Sequence, residues 1–173
     1  MTDKRKVPKK KIIVVGGGFG GVKAALELCK DKRLEVTLVS ERSDFFYYPT
    51  LYKTATGGSS EESVIPLGEI FADKPVDLYE EKIVAIDKAA KIIISENGHN
   101  IQYDVVIFAI GVVTNYFGIE GLKEHAFGIK SLVEAERLKR HLHAQLIADD
   151  KPDANHIVVG GGPTGIELAG ALG

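Results

Sequence analysis

The chain has 173 residues, of which 45 % are apolar and 27 % charged, with a formal net charge of −2, the composition of an ordinary soluble domain with a sizeable core. Near-neutral charge removes any general reason to expect nucleic acid. No apolar run approaches the roughly 20 residues of a membrane-spanning helix, and the single cysteine, Cys29, excludes an intrachain disulfide and fits a reducing compartment.

The opening "MTDKRKVPKKK" has six basic residues in eleven and no signal-peptide core. Residues 1–10 read as a basic disordered arm, solvated or weakly drawn to an anionic membrane surface. Lys11–Val15, "KIIVV", reads as a buried strand. The glycine cluster "GGGFGG" follows it, and then a helix from Val22 to about Lys30 with Val22, Ala25, Leu26 and Cys29 at helical spacing. Leu34–Val39 is a second strand, which completes a βαβ unit.

A long connection follows, with Phe45, Phe46, Tyr47, Tyr48 and Tyr52 in it; these rings pack on a ligand or fill the domain surface. "IPLGEIFADK" reads as a short helix with Pro66 in its first turn. Val76–Asp87 reads as one strand and "KIIIS" as another, with Asn97-Gly98 as the hairpin turn into "IQYDVVIFAIG". Tyr103–Gly111 reads as a buried parallel strand. Ser131 and Glu134 form a capping box before a helix over Leu132–Ala148, whose apolar stripe is Ala135, Leu138, Leu142 and Leu146. "DDKPDAN" is a linker, and a second strand–glycine–helix pattern begins after it.

The two glycine patterns are copies. Ile13–Leu28 and Ile157–Leu172 are identical at nine of sixteen positions without a gap. Each contains Gly-x-Gly-x-x-Gly: Gly16, Gly18 and Gly21 in the first, Gly160, Gly162 and Gly165 in the second. The first glycine makes a tight turn, the second lets backbone approach a pyrophosphate, and the third lets helix and strand pack closely. The helix start then presents N–H groups and a positive dipole end to the phosphates. Glu41 lies 20 residues after Gly21, placed to accept from a ribose hydroxyl. Two such sites imply two cofactors, a flavin in the first and a nicotinamide in the second. The first is assigned FAD because the insertion at residues 43–75 is long enough to enclose a second ring system.

Four stretches, "VVGGGFGG", "VTLVSERSDFFYYPTLYKTATG", "FAIGVVTNYFGIEGLKEHAFGIKSLVEAERLK" and "VVGGGPTGIELAG", resemble the type II NADH dehydrogenases, the single-chain FAD-containing NADH:quinone oxidoreductases. The resemblance runs from Lys11 to the last residue. It implies an α/β fold: a Rossmann-like FAD-binding domain, with a parallel sheet, helices and a small antiparallel β-meander. Residues 11–150 are its first part, and 151–173 begin a second, truncated Rossmann-like domain for NAD(P)H.

Carried over by position, the resemblance implies that Gly16, Gly18, Phe19, Gly20 and Gly21 lie along the FAD pyrophosphate. Glu41 and Arg42 face the adenosine, and Val84 meets adenine through its backbone. Ala109 and Gly111 pass close to the flavin, and Thr54 and Ala55 lie near the isoalloxazine. Gly160, Gly162, Pro163, Thr164 and Gly165 form the incomplete NADH turn. Glu167 lies beside the nicotinamide and quinone sites and assists proton handling, or it is a helix carboxylate stabilised by the dipole.

The implied reaction passes hydride from NADH to FAD and electrons to quinone, by an enzyme peripheral on the inner face of the cell membrane. This chain alone is expected to be soluble, without turnover, to bind FAD weakly, and to form a homo-dimer through exposed apolar elements. Sulfide:quinone oxidoreductases and pyridine-nucleotide disulfide reductases are the rivals. Both need redox cysteines, and residues 41–75 and 111–132 contain none. His141 and His143, two apart on a helix, point in different directions and make a poor metal pair.

Overall fold

The apolar run Ile12–Val15 lies in a strand and is buried on both faces, as the central strand of a parallel sheet must be, while the two lysines before it are exposed. The computed structural model describes residues 8–147 and 155–173. Residues 1–7 of the arm expected over 1–10, residues 149–154 of the expected linker and the expected helix end at Ala148 lie outside the described residues, and Lys10 of that arm begins the first strand.

The elements in chain order begin with β1 (Lys10–Val15), α1 (Phe19–Leu28), β2 (Leu34–Ser40) and β3 (Asp44–Phe46). Next come α2 (Leu51–Ala55), β4 (Val64–Pro66), α3 (Leu67–Ile70) and β5 (Val76–Glu80). The strands β6 (Ile83–Asp87), β7 (Ile92–Ser95), β8 (Asn100–Gln102) and β9 (Val105–Phe108) follow. The helices α4 (Leu122–His125), α5 (Leu132–Ile147) and α6 (Pro163–Leu172) close the order. The fold is Rossmann-like, a parallel sheet with helices. The compact units interleave along the chain: one holds the residues up to Phe45 and Ile65–Gly111, the other Phe46–Val64 and Val112–Gly173.

In the first unit the sheet order is β5-β2-β1-β9, and all three pairings are parallel. Alternation along the strands sends side chains to two layers. Ile12, Val14, Val36 and Leu38 pack with Val22 and Ala25 of α1 and with Phe45, Leu67 and Phe71. Ile13, Val15 and Val39 face the other way and pack on Ile93 of the antiparallel meander β6-β7-β8. The expected meander and its turn are present, with Gly98 at φ +82°.

Three expected strands differ from the structure. Val76–Asp87 is two strands: β5 stays parallel to β2, and β6 joins β7 antiparallel. The break falls at Glu81, whose N–H donates to Ser40 C=O at 2.8 Å and whose carboxylate accepts from His99 Nδ1 at 2.6 Å and Asn97 Nδ2 at 3.0 Å. These bonds hold the chain where it leaves one sheet for the next. Tyr103–Gly111 shortens to β9, an edge strand with Val105 and Phe108 about half exposed. His156–Gly160 forms no strand, since it has no ladder partner among the described residues.

In the second unit, Leu51 and Ala55 of α2 pack against Ala135, Leu138 and Leu142 of α5, with Leu168 and Leu172 of α6 alongside. The expected stripe of α5 holds for its first three members. Leu146 is exposed, because it lies a turn beyond the part of α5 that α2 and α6 cover. The capping box forms: Glu134 N–H donates to Ser131 Oγ at 3.2 Å, and Ser131 N–H to Glu134 Oε2 at 3.0 Å. Lys139 Nζ donates to the Gly58 carbonyl at 2.9 Å, beyond the end of α2.

Candidate functional site: two glycine turns

The chain runs β1, β2, β5 to one side of the first sheet and then places β9 on the other side of β1. The carboxyl ends of β1 and β9 therefore border the crevice where open α/β sheets bind ligands. Gly16 N–H donates to Val39 C=O at 2.8 Å and Ala109 N–H to Val15 C=O at 2.8 Å. Gly16 has φ +113°, and a Cβ there would run into the Ala109 carbonyl. Only glycine fits that turn.

Gly18 caps α1 without a side-chain bond, and Val22 N–H donates to its carbonyl at 2.9 Å. A Cβ on Gly18 would meet nothing within 4 Å. This is the space a pyrophosphate needs, at the end of α1 that the backbone dipole makes positive. A Cβ on Gly21 would overlap the Gly16 carbonyl oxygen, so the third glycine brings α1 onto its own turn. The residues present fit a dinucleotide pyrophosphate.

The second copy repeats this backbone. Gly160 has φ +121° beside +113° for Gly16. Gly162 caps α6 at φ −77°, ψ 171°, beside −86°, −170° for Gly18. A Cβ on Gly162 would again meet nothing within 4 Å, and one on Gly165 would overlap the Gly160 carbonyl oxygen. Pro163 and Thr164 occupy the first turn of α6. This turn opens on a cleft of about 580 Å³, also lined by Thr114, Phe127, Gly128, Lys130 and His141. Among the described residues no Asp or Glu side chain lines the cleft. The Phe127 ring lies 4.6 Å from the His141 ring, centroid to centroid, with the Arg137 guanidinium 5.0 Å over it.

The other expected site residues fall in different settings. Phe19 is half exposed on the first turn and meets Phe45 edge-on at 4.8 Å. Gly20 is on the same turn, and a Cβ there would meet only the Ala109 methyl, at 3.7 Å. Glu41 and Arg42 are exposed just after β2, and Arg42 N–H donates to Ser40 Oγ at 3.3 Å. Val84 is exposed on β6. Gly111 stands three residues past β9 at φ +74°. Near Glu41, the bond from Lys82 Nζ to Glu96 at 2.8 Å raises the Lys82 pKa, and the Glu41 charge adds to this.

Thr54 and Ala55 are buried in α2, Thr54 bonded to Ser59 C=O at 3.4 Å and Ala55 in the α2/α5 core. Glu167 is exposed on α6 and does not line the cleft. Sequence reasoning missed Gly17, where a Cβ would sit 2.6 Å from Ser40 Oγ. The triple-glycine run was the available signal for it.

Among the described residues no helix is long and apolar enough to cross a membrane. The family model described as pyridine nucleotide-disulphide oxidoreductase matches residues 10–173. A type II NADH:quinone oxidoreductase of Staphylococcus aureus is 31% identical over 174 residues, which cover 95% of this chain and 43% of that protein. The chain thus spans about two fifths of the length of the curated relatives it matches. Among solved structures, NDH2 from Plasmodium falciparum has a TM-score of 0.76 at 26% identity, over 95% of this chain and 36% of that one. The sulfide:quinone oxidoreductase of Aquifex aeolicus has a TM-score of 0.73 at 28% identity, over 81% of this chain and 33% of that one.

Proposed function

The chain belongs to the pyridine nucleotide-disulphide oxidoreductase family, and on that premise we propose that it carries the FAD and NADH turns of an NADH:quinone oxidoreductase. The observation that carries this reading is the repeated turn, with the same left-handed first glycine and the same open second glycine in both copies. The first turn takes the pyrophosphate of FAD and the second that of NADH. A bound FAD supplies a ring that accepts hydride and passes electrons on to a membrane quinone.

The chain's own part is to bind and orient. Gly18 and Gly162 let phosphate approach backbone at a helix start that no side chain caps, and Glu41 accepts from the ribose of the first nucleotide. Glu167 handles protons at the nicotinamide side, and the parent enzyme sits peripherally on the inner membrane face. Quinone is preferred over sulfide or disulfide on cysteine chemistry. Cys29 is half-buried just past the end of α1 with Sγ directed at Leu26 C=O at 3.4 Å, and residues 41–75 and 111–132, where the rivals carry their redox cysteines, hold none.

Equilibrium dialysis against FAD and NADH tests the reading. Both ligands should be retained; Gly18→Ala should lose FAD alone and Gly162→Ala NADH alone. Retention of neither ligand, or loss of both in either variant, would refute two separate sites. The exposed Ile157, Val159 and Ile166 support self-association into a dimer. Light scattering on the eluted peak checks that, and a clean monomer argues against it.

A further inference from the structure

The carboxylate of Glu134 does more than close the start of α5. Its Oε2 accepts Lys130 N–H at 2.7 Å as well as Ser131 N–H at 3.0 Å, and its Oε1 accepts the Thr114 hydroxyl at 3.3 Å. A capping box uses only the Ser131 contact. The other two bonds fix one residue just outside the helix and another 20 residues upstream.

Gly128 makes room for this arrangement. A Cβ there would stand 2.5 Å from Glu134 Oε1 and 2.8 Å from Thr114 Oγ1. The same three segments face the second glycine turn, since Thr114, Gly128 and Lys130 line the cleft together with Gly160, Gly162 and Gly165.

We propose that Glu134 is a positioning residue for the second dinucleotide site: by tying Thr114 to the Gly128–Ser131 loop it holds the cleft wall opposite the glycine turn and so sets the affinity for NADH. This rests on the reading of that turn as an NADH site. Geometry and charge predict opposite signs here. A carboxylate beside a site for phosphates repels them, so its removal would tighten binding if charge alone mattered. Removal of a tether releases two amides and a hydroxyl, loosens the wall and weakens binding. Glutamine separates the two effects. Its carbonyl accepts from both amides, its N–H donates to the Thr114 hydroxyl, and it carries no charge.

Ligand-observed saturation-transfer NMR on the whole chain measures NADH affinity, with FAD as the control ligand for the first turn. Glu134→Ala and Gly128→Ala should weaken NADH at least about fivefold and leave FAD within about twofold. Glu134→Gln should stay within about twofold for both, as a geometric rescue. If Glu134→Ala does not fold, by circular dichroism, Gly128→Ala and Thr114→Val carry the test.

Unchanged NADH affinity in the alanine variants overturns the proposal. So does Glu134→Gln falling as far as Glu134→Ala, and so does a parallel loss of NADH and FAD. If the unmodified chain binds FAD but no NADH, the reading of the second turn fails and the proposal falls with it. NADH bound alike by the chain and all its variants sinks the positioning role alone.

Discussion

Gly20 and Gly21 are neighbours in α1, and the structure predicts opposite responses to alanine. At Gly20 the new methyl meets only the Ala109 Cβ, at 3.7 Å, an ordinary van der Waals distance. Alanine in a helix is then favoured over glycine by about 0.5–1 kcal/mol. At Gly21 the same methyl lands on the Gly16 carbonyl, with the carbonyl carbon at 3.0 Å and the oxygen closer.

Gly16 has little room to yield. Its N–H is bonded to Val39, its φ is +113°, and the Ala109 carbonyl backs it. Overpacking costs about 1–3 kcal/mol when side chains can shift, and the upper end applies where the obstacle is backbone. Set against the helix gain, the net loss at Gly21 is about 2 kcal/mol. The two variants should differ by about 3 kcal/mol, roughly two decades in the folded-to-unfolded ratio. Urea unfolding followed by circular dichroism reads this as a shift of midpoint at constant slope. A Gly21→Ala midpoint at or above that of the unaltered chain would show that α1 does not rest on its own turn. A loss at Gly20 matching the loss at Gly21 would show that the cost is general to the loop.

Three further expectations concern the helices. The Glu27 carboxyl is pulled down from 4.5 to about 2, first by its hydrogen bond to Lys23 and then by Lys30. Its contribution to stability is therefore complete above about pH 4.5 and is lost as pH falls through about 2; carbon NMR titration should find that midpoint, and Lys23→Ala with Lys30→Ala should return it toward 4.5. Ser131→Ala removes the acceptor of Glu134 N–H and should cost about 1 kcal/mol by urea unfolding; no change would mean that Glu134 closes the helix start without it. Leu138→Ala opens a hole between α2 and α5 and should cost about 2–5 kcal/mol in the same assay; a cost below about 1 kcal/mol would argue that this face is not closely packed.

The two glycine turns and their helices are encoded locally and could be read from the residues alone. The required conformations depend on atoms a few residues apart: Gly21 lies against Gly16, and Gly165 against Gly160. The Ser131–Glu134 box was legible for the same reason, as was the turn at Gly98. Membership of the pyridine nucleotide-disulphide oxidoreductase family was legible in those turns and in the stretches that resemble it.

Pairing at long range depends on contacts made in space. One apolar-polar run could not show that β5 and β6 join different sheets, because the break depends on Ser40, Asn97 and His99 reaching Glu81. The stripe of α5 could not show that Leu146 is left outside, because burial there depends on how far α2 and α6 extend. Gly17 beside Ser40, and Glu134 reaching Thr114, were likewise set by approach in space. Local backbone preference is written in neighbouring residues; which distant strand or carboxylate completes a contact is settled by the packing that brings them together.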